Sequence, residues 1–307
     1  MDPVAFQLGP LEIRWYGIMM ALSMMLAAAL AVKLLKKYGR NGDLVWDGLV
    51  YLITAGIVGA RLVYVLTNLS DYTSAPWWHV FAVWQGGLSF HGGIIAGGLA
   101  TWAYFRHKGI PFLEVVDSFA PGVCLSIVLV RIGNLMNGDI LGYKWDGPWA
   151  MNFANDEYHF GQPPGTVILR HPTELYGLLV GVICFAVAMW MWNNTYVRRK
   201  FAIGTTYFGF MISYSVVRSL IEEPFRAVPL VWPLTAAPKD GVAPDGFGIL
   251  TMTQVVSIVL ILIGIWGLSQ LRKWERIRAL APPPSIKTGG PNVTRQQRRA
   301  QERKEKK

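Results

Sequence analysis

The sequence predicts an all-α integral membrane protein with about seven transmembrane helices, on three observations. Charged residues make up 16% of the 307 positions and hydrophobic residues 52%, where a soluble domain carries about 25% charge. Roughly seven stretches of about twenty residues are apolar enough to cross a hydrocarbon core. Lysine and arginine gather after the odd-numbered stretches and are sparse after the even ones.

The first stretch, 15–35, is preceded by MDPVAFQLGP, which lacks the basic segment of a cleaved signal, so it reads as a permanent anchor. Lys33, Lys36, Lys37 and Arg40 follow it. The second and third, 44–66 and 87–105, are joined by a loop carrying Trp77, Trp78 and Trp84. Arg106 and Lys108 follow the third. The fourth, 112–135, leads into a long loop with Trp145, Trp149, Phe153 and Tyr158. The fifth, 174–195, ends before Arg198, Arg199 and Lys200. The sixth and seventh, 201–221 and 249–271, flank a loop with five prolines. Twelve Lys/Arg follow the seventh, from Arg272 to Lys307.

Short basic loops stay in the cytoplasm. The expected orientation is therefore N-terminus outside and C-terminus inside, with residues 1–280 forming the transmembrane domain. The loops at about 67–86, 136–173 and 223–248 lie on the outer surface, and their tryptophans and tyrosines suit the headgroup level. From about 281 a proline-rich break leads into a basic segment that cannot bury a core, expected as a disordered cytoplasmic tail. The distribution explains the net charge of +10 without nucleic acid. Cys124 and Cys184 fall inside helices and read as small hydrophobes. No Cys/His spacing indicates a metal.

Polar residues then fall at one depth. Tyr16, Arg61, His91, Arg131 with Asn134, Glu174 and Arg218 with Glu222 lie near the outer ends of six helices. Each alone fits a snorkelling or helix-end side chain. Arg61 alone fits an ion pair with Glu174 or Glu222, and Arg218 with Glu222 fits a pair within one helix. The inner ends show only basic flanks, so a shared outer-leaflet site accounts for the asymmetry. An ionised side chain at the centre of a span costs about 3 kcal/mol or more, and marks a functional site by default. Three arginines with few acids call for an anionic ligand, and a guanidinium fork suits phosphate. A phospholipid headgroup fits that depth. His91, set between two glycine pairs, can exchange a proton near neutral pH.

Six segments, in order, resemble the prolipoprotein diacylglyceryl transferase family: Ile13–Gly17, Gly59–Val65, Gly86–Gly93, Arg131–Gly142, His171–Tyr176 and Arg218–Arg226. The chain differs from the usual signature at Val130, Leu135 and Asp139. The resemblance implies an enzyme of the bacterial cytoplasmic (inner) membrane. It implies transfer of the diacylglyceryl group of phosphatidylglycerol to the lipobox cysteine of a preprolipoprotein, with no cofactor and release of glycerol-1-phosphate. It assigns His91, Arg131 and Arg218 to catalysis. Tyr16, Arg61, Arg131, Asn134, Asn137 and Gly142 would bind the lipid, and Asp139 and Glu222 would orient the arginines. Two other readings stay open: a diverged homologue with another substrate or none, and a phospholipid transporter or binding protein. A transporter would bring polar residues or repeats to the midplane, and neither is visible in the sequence.

Overall fold

In a computed structural model of the chain, the described residues are 3–9, 11–72, 76–83, 86–138, 140–152, 167–227 and 251–280. Seven α-helices run among them: α1 Trp15–Lys37, α2 Leu44–Thr67, α3 Phe90–His107, α4 Phe112–Asn137, α5 Thr173–Trp192, α6 Thr205–Ile221 and α7 Met252–Leu280. Five of the seven (α1, α2, α4, α5 with the turn after it, and α7) are long and apolar enough to cross a membrane. The other two, α3 and α6, have 18 and 17 residues, roughly 27 and 26 Å, a little under the ~30 Å of hydrocarbon. Many apolar side chains point outward, among them Met25, Val50, Leu99 and Trp266. The molecule is an all-α membrane protein. Its chain divides at 271/272, and the described residues of the second unit, 272–280, are the end of α7. The expected disordered tail from 281 lies outside the described residues.

Two small ribbons were not foreseen. β1 (Val4–Leu8) pairs antiparallel with β2 (Leu11–Arg14), and Trp15 N–H donates to Pro3 at 3.0 Å where the ribbon enters α1. β3 (Met151–Asn152) pairs with β4 (Leu169–Arg170). Both lie outside the apolar runs, where hydropathy carries no signal. Helix ends also move. α3 opens at Phe90, not 87, because Gly86 and Gly87 hold φ of +84° and +73° and Ser89 is the N-cap. α6 opens at Thr205, behind Gly204 at φ +101°. After Trp192, α5 passes into a single π turn, Asn193–Val197.

Packing joins α1 to α4, α2 to α3, α4 to α5 and α5 to α6. Lipid tails give helices no hydrophobic reason to associate, so close backbone approach does the work. At Gly122 a methyl group would sit 2.8 Å from the Ala27 backbone, and beside it Ser126 Oγ donates to Ser23 O at 2.9 Å. Gly59 and Gly92 bring α2 and α3 together in the same manner. Cys124 and Cys184 pack with Val180 and Ala188 between α4 and α5, as small hydrophobes.

The opening of α4 corrects one expectation. It carries two buried acids where the sequence reading saw only basic flanks. Glu114 takes Nε and Nη2 of Arg40 at 2.7 and 2.8 Å. Asp117, fully buried, accepts from Tyr196 Oη at 2.9 Å and from the Gly204 and Tyr207 N–H groups at 2.6 and 2.7 Å. Asp117 thus caps α6 from a neighbouring helix, satisfying amides that a helix start leaves without partners.

Candidate active site

The far end of α4 carries Arg131, three residues before Asn134. Arg131 is buried, and its Nη2 meets Glu222 Oε1 at 2.5 Å. Glu222 follows the last residue of α6, so this pair ties α4 to α6. α5 crosses between them at Gly177. A methyl group there would collide with Arg131 Nε and lie 2.9 Å from Glu222 Oε2. A side chain there would force the Arg131 guanidinium or the Glu222 carboxylate to shift.

Arg218 lies one turn before Glu222. Its Nη1 donates to Tyr214 Oη at 2.9 Å. Its Nε is 3.9 Å from Glu222 Oε2, and its Nη2 is 3.9 Å from Glu223 Oε2. Both separations exceed hydrogen-bonding distance. Nε has no hydrogen-bond partner among the described residues, and neither does Glu222 Oε2. Asn134 Oδ1 is likewise buried without a partner. Buried Arg131, Asn134 and Glu222, with half-buried Arg218, therefore leave part of their hydrogen-bonding capacity unused among the described residues. Tyr16 reaches α4 beside it: a methyl group at Gly133 would sit 3.1 Å from Tyr16 Cα. Asn137 is the last residue of α4 and is half-buried, and Gly138 closes the helix at φ +71°. Asp139 lies outside the described residues.

Arg61 is placed differently. Its guanidinium donates to the carbonyl oxygens of Val80 (2.8 Å), Gly86 (2.7 Å), Gly87 (3.0 Å) and His79 (2.5 Å). Tyr64 and Tyr72 flank it at 5.9 and 5.5 Å. With five N–H groups on a guanidinium, little remains for a phosphate. Among the described residues no ion pair joins Arg61 to Glu222. Arg61 instead fixes the turn that enters α3, where Ser89 N–H donates to Ala60 O at 2.9 Å. His91 is in the first turn of α3, exposed, at that same end of the α2–α3 pair.

A layer of short segments covers the start of α5. Gly142 bridges to Arg226, and its carbonyl accepts from Arg170 Nη1 at 3.2 Å. A side chain at Gly142 would collide with the His171 backbone. His171 stacks on Trp145 with ring centroids 4.4 Å apart. Its Nδ1 is 3.0 Å from Tyr176 Oη, which also accepts from Trp149 Nε1 at 2.8 Å. Burial holds the His171 imidazole below its ordinary pKa, favouring the neutral ring. Tyr176 precedes Gly177 and so adjoins the arginine cluster. The sequence reading assigned no role to His171, Tyr176 or Glu223. The signal for the first two was the His171–Tyr176 segment itself, at the opening of the fifth apolar stretch. For Glu223 it was a second acid directly after Glu222.

Fold and cluster together define a multi-helix membrane protein with two arginines beside buried carboxylates. The sequence pattern of the family described as prolipoprotein diacylglyceryl transferase matches residues 3–270, and the chain belongs to that family. It is 35% identical over 294 residues to the phosphatidylglycerol–prolipoprotein diacylglyceryl transferase of Thermus thermophilus, covering 89% of this chain and 99% of that one. The Legionella pneumophila (strain Paris) protein of that name is 34% identical, covering 87% and 95%. The one from Deinococcus radiodurans is 32% identical, covering 92% and 89%.

Proposed function

We propose that this protein transfers the diacylglyceryl group of phosphatidylglycerol to the lipobox cysteine thiol of preprolipoproteins, the first step of bacterial lipoprotein maturation. It is a transferase. The carrying observation is Arg218: a half-buried guanidinium 3.9 Å from each of two buried carboxylates, beside a closed Arg131–Glu222 pair. Such an arginine is held in place by charge yet keeps donors for a stronger anion.

In this reading all seven helices cross the bacterial cytoplasmic membrane, N-terminus outside. The arginine cluster then lies under the outer face, where both lipid and translocated peptide arrive. The thiol loses its proton, since the thiolate is the nucleophile. Sulfur attacks the glyceryl carbon, the carbon–oxygen bond to phosphate breaks, and glycerol-1-phosphate departs with the electron pair. Arg131 and Arg218 stabilise the charge building on that phosphate, usually the largest catalytic contribution. Asn134 Oδ1, an acceptor without a partner among the described residues, suits a headgroup hydroxyl. Asn137, Tyr16 and Gly142 border the lipid. Glu222 orients both arginines, and Asp139 takes the same role by resemblance. His91 receives the thiol proton. Arg61 acts through the turn it clamps, positioning His91.

The test incubates the purified protein with phosphatidylglycerol and a lipobox peptide. The expected product is a peptide heavier by one diacylglyceryl group. Arg218→Ala should lower the rate about a hundredfold or more, the loss typical of removing one donor aimed at developing charge. Near-wild-type transfer by that variant would overturn the phosphate assignment. Movement of labelled lipid without a peptide mass gain would favour a transporter.

A further inference from the structure

Glu223 enters the scheme above only as one of the two carboxylates near Arg218, yet its side chain is completely buried. It opens the 3-10 turn Glu223–Phe225 that follows α6, with Pro224 fixing the backbone. Its Oε1 accepts from Thr251 Oγ1 at 2.7 Å. Thr251 in turn exchanges hydrogen bonds with Gln254 at the start of α7: Thr251 N–H donates to Gln254 Oε1 at 3.0 Å, and Gln254 N–H donates to Thr251 Oγ1 at 3.2 Å. This is a reciprocal capping box. Because a threonine hydroxyl has one proton, that box and Glu223 between them use the hydroxyl's donor and one acceptor site. The carboxylate is therefore held at one oxygen by the first turn of α7. Its other oxygen, Oε2, faces Arg226 Nη1 at 3.5 Å and Arg218 Nη2 at 3.9 Å.

Nε and Nη2 form one edge of a guanidinium, the edge a single carboxylate grips with two parallel hydrogen bonds. In Arg218 that edge is divided. Nε faces Glu222 and Nη2 faces Glu223, at equal distance. Glu222 has an Oε2 without a hydrogen-bond partner, so with Glu223 neutral the whole edge is free to close on it. Arg218 would then resemble Arg131, closed on a carboxylate and withdrawn from an anion.

Resting on the transferase reading, we infer that Glu223 is a positioning residue that sets Arg218 for the phosphate, with α7 as its anchor through Thr251. The inference needs the charge of Glu223, not only its hydrogen bond.

The experiment measures transfer to a lipobox peptide as a function of phosphatidylglycerol concentration, alongside thermal unfolding of each variant in the same detergent. Glu223→Gln should lower kcat by about tenfold to a hundredfold, the scale of a misplaced catalytic group, and leave KM within about threefold, the signature of an interaction made in the transition state. Glu223→Asp, which keeps the charge, should recover part of the loss. Thr251→Val should give a smaller fall in kcat of the same kind, and it stands in if Glu223→Gln does not fold. In an Arg218→Lys background Glu223→Gln should add little, since both act through one group. A wild-type kcat for Glu223→Gln with Arg218→Ala inactive would overturn the inference and spare the transferase reading. Full additivity with Arg218→Lys, or a kcat loss no larger than the unfolded fraction explains, would overturn it as well. An active Arg218→Ala would overturn the reading beneath it.

Discussion

The two ends of α4 both bury charge, and they do so in opposite ways. At the opening, both oxygens of Glu114 are gripped by one edge of the Arg40 guanidinium, and Asp117 accepts three hydrogen bonds of 2.6–2.9 Å. At the exit, roughly 21 Å along the helix from Asp117, Arg131 closes on Glu222 while Arg218 Nε, Glu222 Oε2 and Asn134 Oδ1 have no hydrogen-bond partner among the described residues. A buried polar group without a partner is costly, so a network left partly unsatisfied belongs where a ligand completes it. Burial alone does not separate the two clusters. The share of hydrogen-bonding capacity that their charged groups use does, although Trp192 Nε1 and Thr206 Oγ1 near the opening are also without partners among the described residues. Arg61 makes the same point: it is as buried as Arg131, yet four hydrogen bonds to carbonyl groups commit it to the turn before α3.

The sharpest way to break the contrast is at the exit. Glu222→Gln leaves Arg131 with an uncompensated buried charge, and breaking such a pair by removing one partner costs about 3–5 kcal/mol. Thermal unfolding should show that loss, and transfer should fall with it. An unchanged melting temperature would mean that Arg131 has a second counter-charge. A smaller effect is expected at the opening. Asp117→Asn removes the charge from three hydrogen bonds, each to a charged acceptor typically contributing about 1.5–3 kcal/mol. The amide keeps one acceptor oxygen, so a net loss of about 2–3 kcal/mol is expected, with kcat unchanged for the protein that remains folded. A fall in kcat larger than the unfolded fraction would erase the division of labour between the two ends.

The smallest effect concerns pH. Burial lowers the His171 pKa below its unfolded value of 6.5, so the folded state binds the proton less well than the unfolded state. Its contribution is intact above about pH 6.5 and declines as pH falls through the folded pKa. The melting temperature should therefore drop between about pH 6.5 and 5, and His171→Gln should flatten that part of the profile. A profile indifferent to the substitution would show that the stacked ring on Trp145 is solvated after all.

Much of this was visible in the residues. Hydropathy located the seven α-helices of the described residues, five of them long and apolar enough to cross a membrane, because a lipid-facing helix must be apolar along its whole length. The arginines at the helix ends stood out because such residues are rare there. What stayed hidden depended on geometry that no side-chain pattern encodes. The partners of Arg61 are backbone carbonyls of a loop, and every sequence has carbonyls. Glu114 and Asp117 looked like ordinary acids near a helix start, since their partners come from residues 40, 196, 204 and 207. The start of α3 moved because two glycines adopt left-handed backbone angles, which glycine permits but does not require. Glu223 was overshadowed by its neighbour, although Thr251 and Gln254 had the spacing of a capping box.

Gly177 shows how little material can decide the chemistry of a site. The crossing of α5 leaves no space for one extra carbon between Arg131 and Glu222. Replacing Gly177 by alanine deletes no reactive group, yet it wedges apart the ion pair that the arginine cluster is built around. An alanine scan that skips glycines would miss it, and a search for conserved functional groups would find nothing there to mutate. At this position the molecule's specification is written as empty volume.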